Sequence, residues 1–291
     1  MSQLHSVRED FGSTLSPHWQ RLVVGNGSLE LTGSTLRLVN TGTSSRCYTN
    51  AQIDDYQHRA RRNFLWRPPL TLTVRARFSH PAPTLHNDER CVGAYHQQGR
   101  SSGQIFSGTA GFGFWNDPFM MTGARLPTLP RVIWFFYSSP PSNMKLDVHT
   151  PGCGWKAATM DAMRLPFFLL APTAPVAVPL MNIRPLYRKL WPIAQRAIGV
   201  CEAAVDVTMT DWHTYVIEWG TRSAHFSVDG TLMLECKIPP RGPLGLVIWL
   251  DNQYMVATPW GRLRHGWLQA AGRQWMELDM LAIEPADASL S

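Results

Sequence analysis

The sequence predicts an all-β protein built as one large sandwich of antiparallel strands. Three observations carry this. Its 22 glycines and 22 prolines in 291 residues supply turns at short intervals, aromatic residues make up 11% of the chain, and the apolar runs are short. They recur without the βαβ rhythm of a parallel sheet. Hydrophobic residues reach 44% while charged ones stay at 16%, against roughly 25% in an ordinary soluble domain, which excludes intrinsic disorder. The length fits two average domains or a single large sandwich, and the strand pattern selects the second. The same pattern excludes a helical bundle or coiled coil.

In chain order, Leu22–Val24, Leu29–Leu31 and Leu36–Val39 read as short strands separated by Gly-Asn-Gly and Thr-Gly-Ser turns. Leu70–Phe78 alternates strictly, with Leu70, Leu72, Val74, Ala76 and Phe78 on one side and Thr71, Thr73, Arg75 and Arg77 on the other. That is a half-buried antiparallel strand. The run from Gly111 through Trp115 towards Phe119 is another, and Val132–Ser138 is a third that is apolar on both faces. From Asp211 the spacing tightens: Trp212–Trp219, His225–Val228, Leu232–Lys237, Leu246–Leu250 and Trp275–Ile283 follow in close order. Asp229-Gly230 between two of these is a strong hairpin signal.

Residues 160–204 interrupt the pattern. Leu165–Met181 carries no charge but holds Pro166, Pro172, Pro175 and Pro179, which argue against a regular helix and against a bilayer span. After it Leu186, Leu190, Ile193, Ala197 and Val200 recur at helical spacing among Arg184, Arg188, Lys189 and Arg196. The segment reads as an excursion from the sandwich rather than a second domain. It is too apolar to lie free in water, so it must pack as a lid on its own cleft, against a membrane surface, or against another subunit through residues 165–200. The lid is the expectation.

Charge and cysteines bound the class of partner. The net charge is +6, and the densest basic cluster, Arg59 with Arg61 and Arg62, is too short for a nucleic-acid interface. The five cysteines (Cys47, Cys91, Cys153, Cys201, Cys236) are odd in number and show no C-x-x-C spacing, so they are expected to be reduced. The N-terminal residues contain no apolar signal region. Together these give a cytoplasmic expectation. No Gly-rich phosphate loop and no G-x-S-x-G elbow occurs, and no cofactor is expected.

Three stretches together resemble the concanavalin A-like jelly roll of family-16 glycoside hydrolases, the laminarinases and their relatives. Asp10-Phe11 through Trp19, with Gly27-Ser28-Leu29 and Leu36-Arg37-Leu38, is similar to that family's first strands. Asp211–Trp219 followed by Phe226-Ser227-Val228-Asp229-Gly230 resembles its F-H-x-Y-x-x-x-W and F-x-x-D-G hairpin, and Met276–Ile283 resembles its last strand. In that resemblance His213 and Tyr215 hold a strand pair together. The family's retaining chemistry needs two carboxylates about 5–5.5 Å apart. An E-x-D-x-x-E strand supplies them there, because alternate residues of a strand share a face. The strand that follows Gly111–Trp115 here, Val132–Ser139, contains no carboxylate, and no E-x-D-x-x-E occurs elsewhere. The resemblance therefore implies the fold with a degenerate active site.

The residues that replace the acids define the candidate site. Trp134 and Phe136 share one face of their strand, opposite Ile133, Phe135 and Tyr137, and are either cleft or core. Trp249, Asp251 and Gln253 share one face of Leu246–Gln253. The resemblance puts both strands in one concave sheet, which gives an aromatic cleft of Trp115, Trp134, Phe136 and Trp249 with Asn116, Asp251 and Gln253 as its polar groups. Catalytic candidates are Asp251, Asp117, His149 and Tyr137. Asp251 ends an apolar run and suits a strand-end turn as well, and Asp117 precedes Pro118, which also suits a turn. Asp147 and His149 would share a side of an extended strand but lack a third ligand or a nucleophile. Asp279 matches a position near a structural calcium in the family, and one carboxylate is too few to hold it. The function expected is non-hydrolytic binding of a glycan or partly apolar small molecule. The alternative is a repurposed lyase, isomerase or cyclase working in the same cleft.

Overall fold

The computed structural model describes residues 6–83, 105–118 and 126–286. Two antiparallel sheets face each other across a shared apolar core. One runs in the order β13 (Thr231–Cys236), β12 (Ala224–Val228), β11 (His213–Trp219), β6 (Leu70–Phe78), β17 (Ala270–Pro285), β4 (Leu36–Thr43) and β3 (Gly27–Leu31), and β1 (Val7–Glu9) also pairs with β17. The other runs β10 (Cys201–Ala204), β9 (Gly154–Asp161), β8 (Arg131–Ser138), β7 (Thr109–Trp115), β14 (Gly245–Asp251), β5 (Asn50–Asp54) and β2 (Gln20–Val24). A separate hairpin joins β15 (Gln253–Ala257) to β16 (Leu263–Trp267).

Strand alternation builds the core. Leu70, Leu72, Val74, Ala76 and Phe78 of β6 are buried while the residues between them are only half-buried. They meet Phe112, Ile133, Phe135, Trp155 and Ile248 from the facing sheet. Aromatic edges interlock there: Phe135 lies 5.1 Å from Tyr215 and 5.4 Å from Phe226, both edge-on. The Asp229-Gly230 hairpin forms as expected. Both residues take positive φ (49° and 78°), as a type I′ turn requires. Asp229 accepts hydrogen bonds from the Thr214 backbone (2.8 Å) and pairs with His213 (2.6 Å), so His213 is a strand clamp.

Several expectations are corrected. Phe119 and Cys91 lie outside the described residues. The apolar excursion is narrower than 160–204, since β9 runs to Asp161 and β10 begins at Cys201 and pairs with it. It is thus an elaborated hairpin loop. Its proline-rich part is helical after all, in short pieces: α1 (Leu165–Leu170), a 3-10 turn (Ala171–Thr173), α2 (Ala174–Leu180), then α3 (Arg184–Ala197). Pro166, Pro172 and Pro175 each stand in the first turn of a piece, where no backbone donor is missed and the fixed φ suits the helix. Residues 147–150 form bends, not the extended strand considered for Asp147 and His149. The cysteines are not all reduced. Cys201 and Cys236 form a disulfide with Cα atoms 5.7 Å apart, and Cys153 is disulfide-bonded too, while Cys47 is free and exposed. Cys201 and Cys236 lie 35 residues apart but on β10 and β13, the outermost strands at the same side of the two sheets, so the bond closes the sandwich.

Candidate functional site

The outer face of the β10-to-β2 sheet carries a cavity of about 320 Å³. Its floor follows from register. Phe136 stands opposite Gly111, and Gly111 opposite Trp249, which in turn faces Gln52; one step along, Trp134 stands opposite Gly113. The two glycines are what let large rings lie flat over β7. A Cβ on Gly111 would come within 2.4 Å of the Phe135 carbonyl and 2.8 Å of the Trp249 ring, and one on Gly113 within 2.6 Å of Trp134. Phe112 and Phe114, between and beyond them, point into the core.

The rings form a continuous platform. Trp115 and Trp249 are parallel to within 3° at 6.4 Å, Trp134 stacks on Phe136 at 5.3 Å, and Trp134 lies 5.2 Å from Trp249. Met144, Leu146, Met160, Met255 and Leu263 make the walls. Such a surface offers stacking and apolar contact, with polar groups only at its ends.

One end is held by Asp251. Its carboxylate accepts from Thr109 (2.7 Å), the Gln253 backbone (3.0 Å) and Tyr48 (3.3 Å), and the Trp249 indole donates to Thr109 at 3.0 Å. Burial pushes the Asp251 carboxyl up to about 6, against those hydrogen bonds. Burial and the same carboxylate raise Tyr48 well above its ordinary value, so its hydroxyl stays a donor. The other end holds Lys156 and Glu202, a buried ion pair in direct contact. The Lys156 ammonium also donates to the carbonyls of Met144 and Pro151, both at 3.1 Å. On β5, Gln52 donates to Asp54 at 2.8 Å, and burial raises Asp54.

These carboxylates do not meet. Glu202 and Asp251 stand on strands separated by β9, β8 and β7, four interstrand steps or roughly 19 Å. Asp54 faces Val247, four residues from Asp251 along β14, or roughly 14 Å. Retaining and inverting glycosidases place theirs about 5–5.5 Å and about 6.5–9.5 Å apart.

Of the residues expected from the sequence, Trp115, Trp134, Phe136, Trp249, Asp251 and Gln253 line this one cavity. The others lie elsewhere. Asn116 bridges β7 to β8 by accepting from the Arg131 backbone and donating to the Leu129 carbonyl, both at 2.9 Å. Asp117 is fully buried in the turn after β7, at φ 47°. Tyr137 faces the sandwich core and donates to the Phe106 carbonyl at 2.7 Å, because its odd position puts it opposite Phe136 across the strand. His149 is exposed, and its backbone, not its ring, contacts the Asp147 carboxylate. Asp279 is tied to Arg75 on the other sheet. Among the described residues no cluster of three or more His, Cys, Asp or Glu could hold a metal. The lid expectation is also corrected: no residue between 161 and 201 lines the cavity.

Sequence reasoning missed Tyr48, Gln52, Thr109, Lys156 and Glu202. The alternation of Asn50-Ala51-Gln52-Ile53-Asp54 was a usable signal for Gln52. Lys156 and Glu202 left none, being 46 residues apart.

No protein-family model matches the chain, and no curated protein matches it. Solved structures do. A gut-bacterial structure described under "Prominent members of the human gut microbiota express endo-acting O-glycanases to initiate mucin breakdown" superposes with a TM-score of 0.51 at 11% identity, over 97% of this chain and 99% of its own. The Bacillus licheniformis β-glucanase gives 0.46 at 11% identity over 97% and 98%. The LamA catalytic domain from Zobellia galactanivorans gives 0.47 at 12% identity over 96% of both chains. At 11% identity the first of these likenesses speaks for the fold and leaves the chemistry to the site. The chain has the concanavalin A-like jelly-roll fold, the fold of the laminarinase-type glucanases that its sequence resembles.

Proposed function

We propose that the cleft binds a partly apolar or glycosylated small molecule and does not hydrolyse glycans. The observation that carries this reading is the aromatic platform over Gly111 and Gly113, in a cleft whose carboxylates stand too far apart for either hydrolytic geometry. Flat rings stack on sugar faces and on apolar ring systems alike, and the Met-rich walls favour the more apolar ligands. The disulfide between Cys201 and Cys236 supports an oxidising compartment rather than the cytoplasm.

Titration with octyl glucoside below its micelle concentration, and separately with laminari-oligosaccharides, tests the reading through tryptophan fluorescence. Saturable binding of at least one is expected, without release of reducing sugar from laminarin or lichenan above a heat-killed control. Trp249→Ala is expected to weaken binding by about 1–3 kcal/mol, or about 5- to 150-fold, while the fold survives. Normal binding with much earlier melting would make Trp249 a core residue only. Reducing-sugar release that Asp251→Asn abolishes would overturn the proposal.

A second reading rests on Asp251, whose carboxyl carries an exchangeable proton near neutral pH inside the cavity. It makes the cleft that of a lyase, isomerase or cyclase with Asp251 as the proton carrier. Conversion of a bound ligand, seen by mass spectrometry and lost in Asp251→Asn with binding retained, would establish it.

A further inference from the structure

We propose that the helical excursion and the neighbouring hairpin form a face that docks on anionic membrane surfaces. Among the described residues, eight of the thirteen large hydrophobic side chains that stand exposed fall between Met163 and Ile193. Leu165, Leu169 and Val176 are 70%, 72% and 68% exposed. Two more, Leu263 and Trp267, are on β16. An exposed cluster of this kind marks an interaction surface.

The helices are held in place from beneath. Met181, Tyr187 and Trp191 form a small buried core. Trp191 donates to the Leu146 carbonyl at 3.0 Å, and Gln195 to Asp147 at 2.7 Å. Tyr187 packs edge-on against Trp260 at 5.3 Å, and Asn182 donates to the Trp260 carbonyl at 3.3 Å, which ties the excursion to the β15–β16 hairpin. The apolar side chains left outside are therefore not awaiting the sandwich. It is already packed against the opposite side of α3.

Charge decides the occupant. No Asp or Glu occurs from Ala162 to Cys201 or from Asn252 to Met276, whereas Arg188, Lys189, Arg196, Arg262 and Arg264 are exposed there. A second copy docked about a two-fold axis would set this cationic face against itself, which is repulsive. An anionic bilayer surface complements both halves of the pattern, taking the apolar tips among its acyl chains and the cations among its headgroups. Among the described residues no helix is long and apolar enough to cross a membrane, so the contact lies in the plane of the surface. Leu263 belongs both to this face and to the cavity wall, so docking would bring the cavity to the lipid. The inference stands whatever the cavity holds.

The test is sedimentation of the full chain with vesicles of phosphatidylcholine alone or mixed with phosphatidylserine. Binding is expected only to the mixed vesicles, weakening as salt rises. The variant Arg188→Gln/Lys189→Gln/Arg196→Gln is expected to lose about 100-fold in affinity. Leu165→Glu/Leu169→Glu is expected to abolish binding, and both should keep the parent's melting curve because the changed side chains are exposed. Absence of binding to mixed vesicles, equal binding to phosphatidylcholine alone, or an unchanged affinity in either variant would overturn the proposal. So would light scattering that shows a dimer lost on Leu165→Glu/Leu169→Glu without vesicle binding.

Discussion

Lys156→Met is expected to lower stability by about 3–5 kcal/mol, the range found when one partner of a buried ion pair is removed. The side chains of Lys156 and Glu202 are 1% and 2% exposed, so neither charge has water to fall back on. All three ammonium protons are used, on Glu202 and on the Met144 and Pro151 carbonyls. Methionine fills the space but leaves two carbonyls without their donor and Glu202 with only the Asp147 backbone N–H at 3.1 Å. Burial already raises the Glu202 carboxyl, and the lysine is the largest influence pulling it back. Without that lysine the group takes up a proton instead of staying charged, so the cost should shrink as pH falls. The double variant Lys156→Met/Glu202→Leu removes both charges, and most of the loss should return. Urea unfolding of the parent, single and double variants at pH 7 and pH 5 measures this. A single variant as stable as the parent, or a double variant no better than the single, would contradict it.

The way this pair escaped sequence reading shows where such reading stops. Leu70–Phe78 could be placed because a period of two is written directly into nine residues, and burial follows it position by position. Asp229-Gly230 could be placed because few residue pairs accept positive φ twice in succession. Trp134, Phe136 and Trp249 could be assigned to one face by parity once two strands were put in the same sheet. Their common floor could not, because it depends on Gly111 and Gly113 standing in register with them, a tertiary fact. Local patterns also misled. Four prolines in Leu165–Met181 argued against helix, yet three of them sit where helices begin, and the break between pieces is what the prolines cause. Tyr137 looked reactive as a residue type, and parity alone had already turned it inward. The disulfide had no local signature because its ends meet only when two sheets stack.

Stability is expected to rise as pH falls from 8 to 5, by about 4 kcal/mol. Two buried carboxyls set this. Burial pushes Asp55 up to about 7 despite hydrogen bonds from the Trp66 indole and the Leu246 backbone, and pushes Asp251 up to about 6 despite Thr109 and Gln253. In the unfolded chain both titrate near 3.8. The native state therefore binds their protons more tightly than the unfolded state does. The cost of holding them charged is complete above about 7 and about 6, diminishes as pH falls through the window below each value, and vanishes under 3.8. Burial raises Asp54 in the same direction. The opposite case is Glu277. Burial pushes it up, but Thr35, Arg37 and Arg77 together outweigh that and hold it below its ordinary value, so its contribution is lost only in more acidic solution. The stability maximum should thus fall at mildly acidic pH. Asp251→Asn should flatten the profile by about a third, since the amide oxygen still accepts from Thr109 and Gln253 while its nitrogen donates to the Tyr48 oxygen. Unfolding free energies of parent and variant from pH 4 to pH 8 test this, and a parent that is less stable at pH 5 than at pH 8 would show that these carboxyls are not the groups in control.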